Sequence, residues 1–539
     1  MKIKLNILFG IVISTLMFTS CVNDLDVKPI DPNKVLAGNL GDDPANMERA
    51  LGKLYSSFII SGQGDGQADI TSSDDGFFVL MRALWNLQEI TTDEVMNAWG
   101  DVGIADLNTQ TWSAQNPFLT AAYQRLSLSV TYCNDFLNNT AGTSDPDFIR
   151  YRAEARFLRA LSYYWLMDLF GNPPFTTEAD GVGKYFPQQI QRAQLFRFIV
   201  DELKDIESDL GEPGYSYPQA DKGTCWMLLA RTYLNAEVYI GEAKWDSVKI
   251  YADKVIESGA YELAADYRRN FSADNGRQNG NKEMIFAFAE DGTNTQGNGG
   301  TTFLIQSSSD AVYIPAEKYH GLTSNTNWNG NRARKQLMNI LVDTLATYGN
   351  VNVPADDTIF AQAPDKRVLL RQKRMIDIPM VNSNGDFGVG VYKFTARNHD
   401  GSQAENYNTT FASTDLPVFR LADAYLMRAE ALYNLGEAGE AVKDVNIVRH
   451  RAYGDNSGNI TEAQLNNDFL SDERAREFYY EGQRRTDLVR FGKFTGGSYL
   501  WSWKGGTFNG AATENYRNIF PIPGDEISAN PNITQNDGY

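Results

Sequence analysis

The chain has 539 residues, 42% of them hydrophobic, and carries a formal net charge of −19. That length allows three or four average domains or one large helical one, with enough apolar content for a core. The acidic balance argues against nucleic acid, which needs a basic patch to displace counterions. Three cysteines and three histidines (His320, His399, His450), with no partners at ligand spacing, argue against a disulfide framework, a zinc site and a Ser-His-Asp centre.

Lys2 and Lys4 followed by the apolar run Ile7 to Phe18 read as a secretory leader over residues 1–20, too short to span a bilayer comfortably. Phe18-Thr19-Ser20-Cys21 then sets a cysteine directly after small residues, as in a bacterial lipoprotein cleavage site. Cys21 is therefore the expected lipid attachment; the alternative is ordinary cleavage with Cys21 incidental. Several acyl chains at about 0.8 kcal/mol per buried CH₂ give stable anchoring. Residues 21–42 form an acidic tether, which suggests display at the cell surface.

Asp43 as cap and Pro44 at the first turn predict a helix to Phe58, and the Gly/Ser/Asp-rich stretch 61–76 is loop. Helical spacing returns at 117–138, and Asp145-Pro146 opens a strong helix ending at Phe170-Gly171. Residues 194–210 and 222–258 add further helices. Cys133 and Cys225 lie in these apolar stretches and read as small core residues. From about 264 to 415 the pattern turns irregular, with short strand-like runs at Ile285–Phe288 and Thr302–Ile305 between Gly/Asn-rich loops.

Residues 416–452 contain Leu421, Ala422, Tyr425, Leu426, Ala429, Leu432 and Tyr433 at helical spacing, a glycine turn at Gly436 and Gly439, and a second face of Ala441, Val445 and Val448. That is an αα-hairpin of tetratricopeptide type, which needs neighbours to bury its apolar face. The fold class is mainly α: a tetratricopeptide-like helical-pair scaffold with a loop-rich irregular half carrying short strands. Glu473, Glu477 and Glu481 would share one helix face, and a glycosidase needs two opposed carboxylates. Arg474, Arg476, Arg484, Arg485 and Arg490 surround them, and ion pairing would hold the carboxylates charged. Asp93 and Glu94 are adjacent, which does not set them across a bond, and read as structural.

Six segments in order resemble the SusD/RagB family of outer-membrane glycan-binding lipoproteins: SCVNDLDVKPIDP (20–32), TTDE (91–94), RAEARFLRALSYYWLMDLFG (152–171), LPVFRLADAYLMRAEAL (416–432), ERAREFYYEGQRRTDLVRFGKF (473–494) and FPIPGDEISANPNITQNDGY (520–539). LWSWKGG (500–506) and the segment 91–99 resemble the family's starch-binding member. The resemblance implies one domain over 43–539. Its helical parts are 43–263 and 416–539, and its glycan-binding part is 264–415 with 61–116. It also implies a SusC-like TonB-dependent outer-membrane transporter as partner, a lipid-anchored place on the outer membrane, an α-glucan such as starch or maltooligosaccharide as ligand, and no catalysis.

Of the three aromatic positions that the resemblance implies for the sugar site, Trp99 and Trp328 match, while the glycine loop carries Asn298 where the third would stand. Arg82 matches a basic contact, Asp101 is the nearest polar candidate after Trp99, and Asn327 flanks Trp328. Indole faces take the C–H faces of sugar rings, and charged or amide groups take their hydroxyls. The neighbours of Trp328, two asparagines and a glycine, are not those of a core residue. Trp165, Trp226 and Trp245 lie on helices and read as core, and Trp501 and Trp503 as structural. No cofactor is expected; a calcium ion in loop 272–282 would have Asp274 as its only carboxylate. Other readings are a different polysaccharide in the same role, a protein-only tetratricopeptide adaptor, and a glycoside hydrolase.

Overall fold

Several helices begin where the sequence supplies a cap. In the computed structural model, which describes residues 44–62, 69–70, 79–142, 144–180, 186–342, 360, 362–381 and 385–539, α1 spans Pro44–Ser56 and α2 Leu80–Trp85. Asn116 accepts from the Phe118 N–H to open α3, Pro117–Asn139, and Asp145 accepts from the Asp147 N–H to open α4, Pro146–Phe170. In both, proline fills the first turn, where its missing N–H costs nothing. Next come α5 (Arg192–Ile206), α6 (Lys222–Leu234, capped by Asp221) and α7 (Trp245–Glu257). Further on lie α8 (Gly300–Ser308), α9 (Leu421–Asn434), α10 (Ala438–Tyr453), α11 (Asn467–Phe478) and α12 (Arg484–Arg490). The leader, Cys21, the tether and most of loop 61–76 lie outside the described residues.

Packing follows chain order: α3 on α4, α4 on α5, α6 on α7, α7 on α9, and α9 on α10. This is the stack of helical pairs expected of a tetratricopeptide-like scaffold. In the α9/α10 pair, Ala422, Leu426, Ala429 and Leu432 meet Ala441, Val445 and Val448, with Leu470 and Phe478 closing the cluster. Alanines where the helices cross let the backbones approach, and Gly436 turns the chain with φ 85°. A larger apolar core runs from α1 through the irregular half to the C-terminal segment, so both halves share one interior. Cys133 and Cys225 are buried free thiols within it.

The described residues include six short strands: β1 (Val95–Asn97), β2 (Met284–Phe288), β3 (Asn331–Ala333), β4 (Leu370–Gln372), β5 (Val389–Val391) and β6 (Leu416–Arg420). The order β1-β3-β5-β4 makes one antiparallel sheet, and β2 pairs with β6 in another. The expected strand at Thr302–Ile305 is instead part of α8. The Glu290 carboxylate accepts from the Thr301 N–H and hydroxyl at its start, and that cap outweighs the β-propensity of the run. Trp165 is buried as expected, but Trp226 and Trp245 are only half-buried, at helix surfaces. Trp501 is buried and Trp503 half-buried at φ 73°, its indole N–H donating to the Ile378 carbonyl.

Candidate functional site

The site grows from the β1/β3 pair. Asn97 stands opposite Asn331, and the Ala98 N–H extends the ladder to the Gly330 carbonyl at 2.8 Å, so Trp99 and Trp328 leave neighbouring strand ends side by side. Three buried asparagines pin this junction. The Asn97 amide donates to the Asn331 side chain (2.7 Å), and the Asn108 amide donates to the Asn97 carbonyl (2.8 Å). Asn97 Oδ1 in turn accepts from the Trp99 N–H at 2.8 Å. The Trp328, Asn329 and Gly330 N–H groups donate to the carbonyls of Gln306, Ser309 and Ser307. The segment thus caps the C-terminal end of α8, where helix carbonyls lack partners of their own.

The two indoles sit 6.2 Å apart between centroids and are tilted by 58°. Trp99 Nε1 donates to the Trp328 carbonyl at 3.1 Å, which fixes its orientation, and Phe303 of α8 meets Trp99 edge-on at 6.2 Å. Arg82 of α2 lies under the cluster, its guanidinium carbon 4.6 Å from the Phe303 ring centre, 5.6 Å from Trp99 and 5.9 Å from Trp328. It is 6% exposed and donates to the Asn298 carbonyl at 3.0 Å, so one cation holds three rings and the glycine loop together. Both indoles are half-buried and keep part of their surface for a ligand.

Arg82, Trp99, Trp328 and Asn298 are therefore brought together. Asn327 adjoins Trp328, but its Oδ1 accepts from the Ala316 N–H at 3.0 Å, which gives it a structural task. Asp101 is exposed and has no contact with the cluster among the described residues. Sequence reasoning missed Phe303 and Gly330. A Cβ on Gly330 would lie 2.3 Å from Trp99 Cε2, so only glycine lets the indole lie across this strand. Asp274, the one carboxylate of the calcium loop, accepts from Ser272 Oγ and the His399 N–H, both at 2.8 Å. The described residues hold no group of three or more His, Cys, Asp or Glu that could take a metal.

The candidate acids are bound up in ion pairs. Burial pushes Glu473 upward, but Arg367, Arg449 and Arg476 outweigh it and hold the carboxyl at about 2. Glu477, paired with Arg367, Arg420 and Arg451, is likewise held far below its usual range against the opposing effect of burial. Glu481 lies beyond the end of α11 and pairs with Arg420 and Lys393, so the expected single helix face does not form. The partners also differ from those expected. Arg474 goes to Asp423 and Asp487, Arg484 to Asp93, Arg485 to Asp168 and Arg490 to Glu430 and Asp487. Burial raises Glu94 to about 7, near the range of a general acid, yet the residue is 1% exposed and out of reach of a sugar.

The SusD family model matches residues 271–539. The starch-binding protein SusD of Bacteroides thetaiotaomicron is 35% identical, covering 97% of this chain and 96% of that protein. A SusD-like protein from Bacteroides fragilis superposes with a TM-score of 0.68 at 19% identity, over 93% of this chain and 98% of its own. Surface glycan-binding protein A from Bacteroides fluxus gives a TM-score of 0.66 at 20% identity, over 92% and 99%.

Proposed function

The chain belongs to the SusD family, and on that premise we propose that it captures starch-type α-glucan at the cell surface and passes it to a SusC-like TonB-dependent transporter. It is a binding protein and not an enzyme. The observation that carries this reading is the tilted Trp99/Trp328 pair backed by Arg82, which offers indole faces beside a loop of amides. The ion-paired carboxylates support the absence of catalysis. The 35% identity to a starch-binding protein supports the choice of glycan. Cys21 as lipid attachment, the outer membrane as location, and residues 43–539 as one unit beyond the tether belong to the same proposal. Among the described residues no helix is long and apolar enough to cross a membrane.

Titration calorimetry of the protein begun after Cys21, with maltoheptaose and with levan, xylan and dextran as controls, tests it. Trp99→Ala and Trp328→Ala are each expected to weaken maltoheptaose by tenfold or more, about 1.4 kcal/mol. Full affinity in both variants would remove the platform from the account. Asn298 in the glycine loop, where an aromatic would extend the platform, favours a second reading in which a different polysaccharide fills the same role. Binding of a control glycan and not of maltoheptaose would select it.

A further inference from the structure

A groove of about 540 Å³ opens beyond the C-terminal end of α4. Asn172, the start of α5, Val238, Val489 and two stretches of the C-terminal segment line it, and no residue of the Trp99/Trp328 cluster takes part. Its size falls within the range of about 300–1,000 Å³ common for small-molecule clefts. Its wall is mostly amide and hydroxyl.

The donors in that wall are oriented. The Thr495 hydroxyl lies 3.2 Å from Asn515 Oδ1 and 3.1 Å from Asn518 Oδ1, and its single proton, shared between the two amide oxygens, draws this pair of side chains toward it. Among the described residues neither side-chain NH₂ has an acceptor. Arg192 is held flat on the Tyr239 ring, 4.7 Å from its centre, while Nε and Nη1 donate to the Met167 and Val238 carbonyls. No carboxylate lies within ion-pairing distance of it among the described residues, and its second terminal nitrogen has no partner there. The Tyr516 ring is locked edge-on against Tyr539 at 4.7 Å, with no hydrogen bond from its hydroxyl among the described residues, and exposed Asp537 supplies a carboxylate acceptor.

Fixed amide and guanidinium donors, a phenol and one carboxylate match the hydroxyl rim of a sugar, in which each O–H both gives and accepts. A free anion would meet Asp537 and a chain of net charge −19, and an apolar ligand would strand the amides. We propose that this groove is a second carbohydrate site, which takes a neutral mono- or disaccharide by hydrogen bonds and works without an aromatic platform.

The test uses the protein begun after Cys21, with Trp99→Ala and Trp328→Ala combined so that only the groove remains. Saturation-transfer NMR with glucose, galactose and maltose is expected to give a signal for at least one sugar. Adding Asn515→Ala and Asn518→Ala should cut that signal at least fivefold, while the same two changes in the otherwise unaltered protein leave maltoheptaose affinity within twofold. Asn515→Asp with Asn518→Asp covers the case in which the alanine variant does not fold. It keeps oxygen acceptors for Thr495 and replaces both amide donors with charged carboxylates, and the same loss is expected. Silence for all three sugars in the platform variant, or a signal that survives loss of both amide donors, would overturn the groove assignment. Failure of the unaltered protein to bind maltoheptaose bears on the α-glucan reading alone, because the groove is read separately with its own sugars.

Discussion

Gly330 sets the geometry of the platform as firmly as the tryptophans do. Its missing side chain leaves the space into which the Trp99 indole folds, and a methyl group there would press on backbone-anchored ring atoms at 2.3 Å. Gly330→Ala is therefore expected to weaken maltoheptaose about as much as Trp99→Ala while unfolding stays cooperative, as calorimetry and near-ultraviolet circular dichroism would show. Unchanged affinity would mean that the indole can reseat without loss. Trp328 stood out in the sequence because its neighbours, Asn327, Asn329 and Gly330, are not those of a core, whereas Trp99 rested on the resemblance. Asp101 was chosen for its adjacency to Trp99, which says nothing about which way an exposed turn faces. Phe303 was hidden because a Thr/Phe/Leu/Ile run reads as a strand until the Glu290 cap is seen.

At the level of elements, the helical pairs were the most readable part of the chain, since helical spacing and terminal glycines agree in α4 and in the α9/α10 pair, with the Asp145 cap added in α4. Leu426 lies fully buried between α9 and α10. Leu426→Ala should cost about 2–5 kcal/mol of stability, measured by denaturant unfolding, and leave the glycan affinity of the folded protein unchanged. A loss of affinity at full stability would instead tie this pair to the sugar site. The short strands were harder to see. The β1/β3 pairing joins residues more than 230 positions apart and is held by three asparagines, a residue type that local pattern assigns to loops.

Across the whole molecule, ion pairs fasten the two halves together. Arg367 from the irregular half and Arg420 at the end of β6 reach Glu473 and Glu477 of α11, with Arg449 and Arg451 of α10 on the same carboxylates. These partners lie far apart in the sequence, which is why only the charged state of the glutamates was predicted and not their pairing. The carboxyl of Glu473 is held at about 2 in the folded chain, below an unfolded value near 4.5. Its contribution is complete above about pH 4.5 and is lost as pH falls through about 2. Glu473→Gln should cost about 3–5 kcal/mol near pH 7, because Arg449 and Arg476 then lose their ion-pair partner while Arg367 keeps Asp365 and Glu477. It should also flatten the loss of stability between pH 4.5 and 2, both read from unfolding curves. An unchanged acid profile would place the sensitivity elsewhere. At the proposed sugar site, the 58° tilt between Trp99 and Trp328 would act in turn as a gauge of ligand curvature. A polymer whose successive rings turn as it runs can rest on both indoles at once, whereas a flat ribbon meets only one. The hydrogen bond from Trp99 to the Trp328 carbonyl holds that angle before any sugar arrives, so the ordering needed for binding falls mainly on the glycan.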